Sequence, residues 1–305
     1  MTGFYILSGY TLFFVYHDRR ISNIKELGRF YKKRFFGIMP LYYFSATLYV
    51  LFFSAETVKQ NILLFPIELL GLQSTYSSLF IYSHNGGTWF ISCLIICYLF
   101  YPLLQIISTQ IKVKIKLVLI AVSSFILILS PFVVHFFHLS SIYSNPFFRV
   151  LEFSIGVFAA SLSLDVKEKK YVQKVLFNRI TIILEFLFII IFVSICAWKG
   201  ISGNYMLFNI GTLIPFALII FGLGNISYGR VLNNSIVRYL SSISYAFFLS
   251  QLFMPRIGKY IFNKFPCENL MRIFVLFLIC VIISVLLHEL IEKPIGKLLR
   301  KKKII

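Results

Sequence analysis

The sequence predicts an all-α membrane protein, a polytopic transmembrane bundle with about nine spanning helices. Of its 305 residues, 59% are hydrophobic and only 13% are charged. Apolar segments that are almost free of charge recur along the whole chain, and short basic segments separate them. Several apolar segments reach the roughly 20 residues that a helix needs to cross a bilayer core. A chain with this composition has too many apolar side chains to bury them all in the core of one soluble domain.

The predicted spanning helices follow the apolar segments in chain order. They are residues 3–16, 38–54, 88–108, 115–138, 146–164, 180–198, 205–224, 240–262 and 271–292. A tenth apolar segment, 61–72, contains Pro66 and Glu68 and is too short to span alone, so it is predicted to be interfacial or re-entrant. With this segment outside, five basic segments fall on one side, which the positive-inside rule identifies as the cytoplasm. The predicted location is the inner (plasma) membrane, multi-pass, with a cytoplasmic C-terminus.

The net charge of +19 would suggest nucleic-acid binding in a soluble protein. Here Lys and Arg lie between apolar segments, as is typical of membrane proteins, so the predicted partner is the lipid bilayer and no nucleic acid. The five cysteines include no Cys-x-x-Cys pair, and His135 and His138 have no third ligand nearby. The sequence therefore predicts no metal site.

Two ionisable residues lie within the predicted span 146–164. Arg149 and Glu152 are three residues apart, so they share a helix face and can pair. Charged groups in membrane segments face a bundle interior or a wet cavity. The pair is therefore either a structural ion pair that fixes helix packing or part of a substrate site. Trp89 has two interpretations as well, an anchor at the membrane interface or a border of an acceptor site.

Six short motifs follow one another along the chain. They are FYILSGY at 4–10, KKRFFGIMPLY at 32–42, WFIS at 89–92 with CYL at 97–99, RVLEFSIG at 149–156, SYAFFL at 244–249 and HELIEKPI at 288–295. Together and in this order they resemble the membrane acyltransferase-3 family. Its members are bacterial integral-membrane enzymes that O-acylate polysaccharides and other glycans.

The resemblance implies a single membrane domain over residues 1–305 with acyltransferase activity on groups other than amino-acyl groups. It implies transfer of an acyl group, most plausibly acetyl, to a hydroxyl of a cell-surface polysaccharide or glycan precursor. The expected reaction is thus O-acetylation, a polysaccharide modification. Acyl-CoA is the expected co-substrate, and no bound cofactor is expected. Two alternatives stay open: a polytopic transporter or exporter of glycan intermediates, and a catalytically inactive relative.

The resemblance also implies site residues. Arg34 lies in the basic motif, and with Lys33, Arg19 and Arg20 it is a candidate for binding the phosphates of acyl-CoA. The alternative for this basic segment is anchoring to anionic lipid. Residues that match the family's motifs or flank them are candidates for lining the substrate site: Ser8, Trp89, Ser92, Arg149, Glu152 and Tyr245.

The chain departs from the family pattern at three places. Family members begin with a helix that carries an Arg and a His, and the His is regarded as the catalytic base. We expect this chain to lack that helix, so its catalytic residue is unassigned, with His17, His288 and Glu292 as the candidates nearest the inner face. Gly37 stands where the family has the second arginine of its basic motif. Gln251 stands where many relatives have a His.

The alternation of charged segments predicts a testable topology. Lys32, Lys170 and Lys302 should face the cytoplasm, while Gly86 and Gly200 should face outward, because cytoplasmic segments collect Lys and Arg. Single cysteines placed at these positions, in a variant without the five native ones, can be labelled from outside intact cells. Labelling at 86 and 200 but not at the other three is expected. External labelling at position 170 would contradict the assignment.

Overall fold

The computed structural model describes residues 1–19, 21–53, 58–75, 88–137, 143–168, 175–198, 205–225, 234–265 and 268–301. Within these ranges the secondary structure is helical, and none of these residues forms a strand. The predicted all-α class is confirmed. Arg20, Gly86, His138, Lys170, Gly200 and Lys302 lie outside the described residues.

The helices of the described residues keep the order of the predicted spans. They are α1 (Thr2–Tyr16), α2 (Ile24–Phe53), α3 (Val58–Leu69), α4 (Trp89–Gln110), α5 (Val113–Phe136), α6 (Pro146–Glu168), α7 (Val175–Trp198), α8 (Tyr205–Gly224), α9 (Ser235–Gln251), α10 (Met254–Lys264), α11 (Asn269–Leu287) and α12 (Lys293–Lys301). A π-helical turn, His288–Glu292, joins α11 to α12.

Among the described residues, six helical segments are long and apolar enough to cross a membrane. They lie in α2, α4, α5, α6, α7 and the continuous run from α11 through α12. The chain is a multi-pass membrane protein. The count is lower than the nine predicted because α1 has 15 residues and α9 has 17, short of the roughly 20 that a span needs. In α8, the apolar helical part is Gly211–Gly224.

Two predicted boundaries were wrong. The predicted span 240–262 is two helices, because α9 ends at Gln251 and α10 begins at Met254. Pro255 lies in the first turn of α10, where its missing amide hydrogen is tolerated, whereas inside one continuous helix it would break a hydrogen bond. The predicted span 38–54 begins too late, since α2 begins at Ile24 and carries the basic residues before position 38 on helical backbone.

The predicted interfacial segment 61–72 overlaps α3. This helix has 12 residues and contains Pro66, so it is too short to span, as predicted. The hydroxyl of Tyr43 on α2 donates a hydrogen bond to the carbonyl oxygen of Leu69 at the end of α3. The interfacial or re-entrant placement of this segment stays a prediction.

The chain divides into two compact units. The first unit contains α1 and α4–α8, and the second contains α2, α3 and α9–α12. In the first unit, α1 packs against α4, α6 and α8, and its buried residues include Tyr5, Ile6, Gly9 and Phe13. Because α1 is covered by other helices on several sides, it need not be as long as a helix that faces lipid.

The backbones of α1 and α6 lie in close contact. A Cβ added to Gly9 would overlap the carbonyl oxygen of Phe153, and one added to Gly156 would overlap that of Ile6. Small residues at a crossing let two membrane helices approach backbone to backbone. Gly9 and Gly156 therefore set the separation of α1 and α6.

An ion pair with a buried lysine ties α5 to α6 elsewhere in this unit. Lys116 lies at the start of the predicted span 115–138 and is only 3% exposed. Its Nζ lies 2.6 Å from Asp165 Oδ2 and 2.7 Å from Ser161 Oγ. The Ser161 hydroxyl donates in turn to the carbonyl oxygen of Ser108 on α4 at 3.1 Å. This cluster holds three helices at one point.

The second unit is built on α2, α9 and α11. Its apolar core is formed by Tyr49, Phe253, Met254 and Cys280. The hydroxyl of Tyr245 on α9 donates to the carbonyl oxygen of Ile38 on α2 at 3.0 Å. The π-helical turn after α11 ends at Glu292, two residues before Pro294, which has no amide hydrogen to continue an α-helical ladder.

The glycine contact gives a stability prediction. Gly9→Ala and Gly156→Ala should each lower the free energy of unfolding by about 1–3 kcal/mol, because the added methyl group overlaps a backbone carbonyl. The measurement is reversible unfolding in mixed detergent micelles. Gly28→Ala on α2 is the matched control, since a Cβ there meets nothing within 4 Å. It should be neutral or stabilising by up to about 1 kcal/mol. Equal losses in all three variants would refute the contact.

Candidate functional site

A buried arginine forms the centre of a polar cluster in the first unit. Arg149 lies in the first turn of α6 and is 1% exposed. Its Nη1 lies 2.6 Å from Glu152 Oε1. Its Nε and Nη2 donate to the carbonyl oxygen of Tyr143 at 3.0 and 2.6 Å. The i, i+3 pairing predicted from the sequence is therefore present, and the guanidinium has an acceptor on each of its three nitrogens.

Three aromatic rings surround the same guanidinium. The Cζ atom of Arg149 lies 4.9 Å from the ring centroid of Tyr143 and 5.5 Å from those of Tyr5 and Trp89. Each distance is within the roughly 6 Å at which a cation–π attraction acts. The rings replace part of the water that the charge loses on burial. Trp89 itself is 5% exposed, which leaves little of its ring to serve as an anchor at the membrane interface.

Glu152 connects the arginine to α1. Its side chain is fully buried, and the hydroxyl of Thr2 donates to its Oε1 at 3.0 Å. Thr2 and Tyr5 both lie on α1, so α1 supplies a hydrogen bond and a ring to a charge pair on α6. A buried pair with this many partners can fix helix packing, and it presents a fixed polar geometry to its surroundings.

A chain of small polar groups lies beside Trp89. The hydroxyl of Ser74 donates to Ser92 Oγ at 2.7 Å, and the amide of Ser74 donates to the same oxygen at 3.2 Å. The thiol of Cys93 lies 3.3 Å from Ser74 Oγ and from the carbonyl oxygen of Ser144. The substrate-lining candidates Trp89, Ser92, Arg149 and Glu152 thus meet in one region of the first unit.

The other two lining candidates lie elsewhere. Ser8 is half-buried on α1, and its carbonyl oxygen accepts from the hydroxyl of Thr11 at 3.3 Å. Tyr245 belongs to the second unit, where its hydroxyl bonds to the backbone of α2. The tertiary structure therefore groups four of the six candidates and gives Tyr245 a contact between two helices of its own unit.

The candidates for binding acyl-CoA divide between the units. Arg34 and Lys33 lie on α2, and Arg19 follows α1. Arg34 is half-buried, with its Cζ 5.8 Å from the ring centroid of Phe30, one helical turn earlier. Lys33 and Arg19 are exposed. Arg20 lies outside the described residues. Phe30 thus limits the orientations of the Arg34 side chain, whereas Lys33 and Arg19 extend toward the surroundings.

Two histidines near the helix ends have carboxylate neighbours. His17 Nε2 lies 3.2 Å from Asp18 Oδ1, and His288 Nδ1 lies 2.8 Å from Glu292 Oε2. The second pair lies within the π-helical turn, where residues four apart are nearly aligned. The sequence singled out His288 and Glu292 separately, and their i, i+4 spacing is the signal that they pair. Such a carboxylate can orient the imidazole ring.

Comparison with known proteins gives one match. The sequence profile of the acyltransferase-3 family, described as an acyltransferase domain, matches residues 1–289. The match covers both units except for the residues after Glu289. No curated protein and no solved structure matches the chain in the other two comparisons.

The buried pair gives a prediction that separates structure from activity. Glu152→Gln should destabilise the protein by about 3–5 kcal/mol, because it leaves the Arg149 charge buried without its carboxylate. The double variant Arg149→Leu/Glu152→Leu should lose less stability than the two single variants lose together, because it removes both charges and leaves neither one unpaired. Both are measured by unfolding in detergent micelles, alongside acyl transfer.

The matched control is Glu289→Gln, which breaks a more exposed i, i+4 pair with Lys293. Little change in stability is expected there. If the double variant regains stability and retains transfer, Arg149 and Glu152 serve packing alone. If it regains stability but loses transfer, the polar pair itself is needed at the substrate site. Additive losses would contradict the pairing energetics.

Proposed function

Because the chain belongs to the acyltransferase-3 family, we propose that it moves an acyl group, most plausibly acetyl, from acyl-CoA to a hydroxyl of a cell-surface polysaccharide or glycan precursor. The family match over residues 1–289 carries this proposal. The protein is a membrane acyltransferase of the non-amino-acyl type. The inner membrane, a cytoplasmic C-terminus and a cytoplasmic donor complete the proposal, on the strength of the basic segments in the sequence.

The proposed reaction sets clear chemical requirements. The hydroxyl oxygen of the acceptor attacks the thioester carbonyl carbon, a C–O bond forms, and the C–S bond breaks. The hydroxyl proton passes to a base, and the coenzyme A thiolate takes up a proton on leaving. The reaction needs that base, hydrogen-bond donors for the developing oxyanion, and cations for the donor phosphates.

Arg34 is the proposed principal contact for the donor. Its guanidinium can bind a phosphate through two parallel hydrogen bonds, and Phe30 restrains it. The proposed secondary contacts are Lys33, Arg19 and Arg20, whose positive charges attract the anionic donor. A restrained arginine loses less conformational entropy on binding than an exposed lysine does, and this supports the choice of Arg34.

The acceptor side of the proposal uses the cluster around Arg149. Trp89, Ser92, Arg149 and Glu152 are brought together there, and Ser8 belongs to the same unit. Since Arg149 and Glu152 already bond to each other, their proposed role is to hold the neighbouring side chains in a fixed arrangement for the glycan. Preorganised polar groups of this kind are what a transferase needs to orient a hydroxyl.

The direct test follows labelled acetyl from acetyl-CoA in inverted membrane vesicles that contain the protein and a polysaccharide acceptor. Label in the polysaccharide, as an alkali-labile ester, supports O-acetylation. Bound acetyl-CoA without transfer to any glycan would identify an inactive relative. Movement of glycan across the membrane without acylation would identify a transporter, an alternative that the family match disfavours.

The donor contact can be tested separately. Arg34→Ala should weaken binding of acyl-CoA about 10–100-fold while membrane insertion stays intact, because a charged hydrogen bond is worth about 1.5–3 kcal/mol. The affinity of Arg34→Lys for acyl-CoA should lie between those of wild type and Arg34→Ala, because a guanidinium that can form two parallel hydrogen bonds is replaced by a single ammonium group. The measurement is a titration of the purified variants with acetyl-CoA.

Arg29→Ala is the matched control for this titration. Arg29 lies on the same helix and is exposed, and the family motif does not include it. Its loss should change the affinity little. Equal affinities for wild type, Arg34→Ala and Arg29→Ala would return Arg34 to the role of a lipid anchor.

A further inference from the structure

A recess in the second unit combines cations with an apolar wall. Its volume is about 400 Å³, and it lies between α2 and the C-terminal helices. Phe36, Pro40 and Leu41 on α2 form one apolar side. The opposite side is the π-helical turn and α12. Its volume is within the roughly 300–1,000 Å³ range of ligand sites in proteins.

Three cations line this recess: Lys293, Lys297 and Arg300. Residues four and seven positions apart on a helix share one face, so α12 directs all three toward the same side. Lys293 Nζ lies 2.6 Å from Glu289 Oε2, so its charge is already matched. In the part of the chain that the structure describes, no carboxylate lies within ion-pair distance of Lys297 or Arg300.

Among the described residues that line the recess, Glu292 is the one carboxylate, and it is also engaged. Glu292 Oε2 lies 2.8 Å from His288 Nδ1, and both residues border the recess. Lys297 and Arg300 are therefore the lining charges that an incoming anion would meet. An arginine and a lysine one turn apart form a good site for phosphate, because the guanidinium offers a planar fork and the ammonium a compact charge.

We propose that this recess binds a phosphate-bearing ligand, with Lys297 and Arg300 as the direct contacts and the wall of Phe36, Pro40 and Leu41 against its less polar part. Plain anchoring to the membrane needs basic residues but no recess with an apolar wall. The phosphate comes either from the nucleotide part of coenzyme A or from an anionic lipid headgroup. The first source rests on the proposed function, and the second does not.

The test uses the full protein in nanodiscs of phosphatidylcholine, titrated with coenzyme A, which carries the phosphates without an acyl group. Lys297→Ala and Arg300→Ala should each raise the dissociation constant about tenfold, because each removes a charge-assisted contact. Lys25→Ala is the control: Lys25 is exposed at the start of α2 and is not part of the recess. It should leave the affinity unchanged.

A gain-of-charge variant keeps the test independent of folding defects. Gly37 lies on the recess, and a Cβ there meets nothing within 4 Å. Gly37→Arg added to the Lys297→Ala/Arg300→Ala variant should therefore recover part of the lost affinity. A second arm measures retention of phosphatidylglycerol by the same variants in mixed nanodiscs. Loss of phosphatidylglycerol with coenzyme A binding unchanged identifies the lipid headgroup as the source and supports the phosphate site.

The outcomes separate this proposal from the proposed function. If wild type binds phosphatidylglycerol but not coenzyme A, and the variants lose it, the recess is a phosphate site and the donor proposal falls. If Arg34→Ala weakens coenzyme A binding while the recess variants bind both ligands like wild type, the donor proposal stands and the recess proposal is overturned. Binding of neither ligand by wild type overturns it as well.

Discussion

The first unit depends on the contact of α1 with α6 at Gly9 and Gly156. Lipid gives no hydrophobic drive for two apolar helices to associate, so close van der Waals packing and polar contacts must do it. A methyl group at either glycine would overlap the opposite backbone. The short distance brings Thr2 to Glu152 and Tyr5 to Arg149. The contacts that α1 makes with the buried charge pair therefore rely on two residues that have no side chain.

The motif residues of the first unit act largely on one another. Gly9 lies in the FYILSGY motif, Gly156 ends the RVLEFSIG motif, and these two glycines form the crossing. Trp89 and Ser92 come from the WFIS motif and lie in the region of Arg149. These three motifs are separate in the sequence, but in the folded chain their residues form one packed cluster. A cluster of this kind holds polar groups rigidly in an apolar surrounding, which is what positioning of a reacting hydroxyl requires.

The charged side chains discussed above have different surroundings in the two units. In the first, Arg149 has acceptors and rings on all sides, and Lys116 is closed off by Asp165 and Ser161. Such charges stabilise one arrangement of helices. In the second unit, Lys297 and Arg300 line an open recess. A charge that is already matched serves the fold, and a charge that borders a cavity is the one to examine for a ligand.

Local patterns determined the helical membrane class, most helix positions and the Arg149–Glu152 pair, because apolar length and i, i+3 spacing depend only on neighbouring residues. The break before Met254 escaped prediction because several apolar runs contain a proline within an intact helix, as α5 does at Pro131. The burial of Trp89 and the recess between Phe36 and Arg300 were decided by tertiary packing alone. Residues more than 200 positions apart meet only through the contacts of whole helices, and no local spacing encodes those contacts.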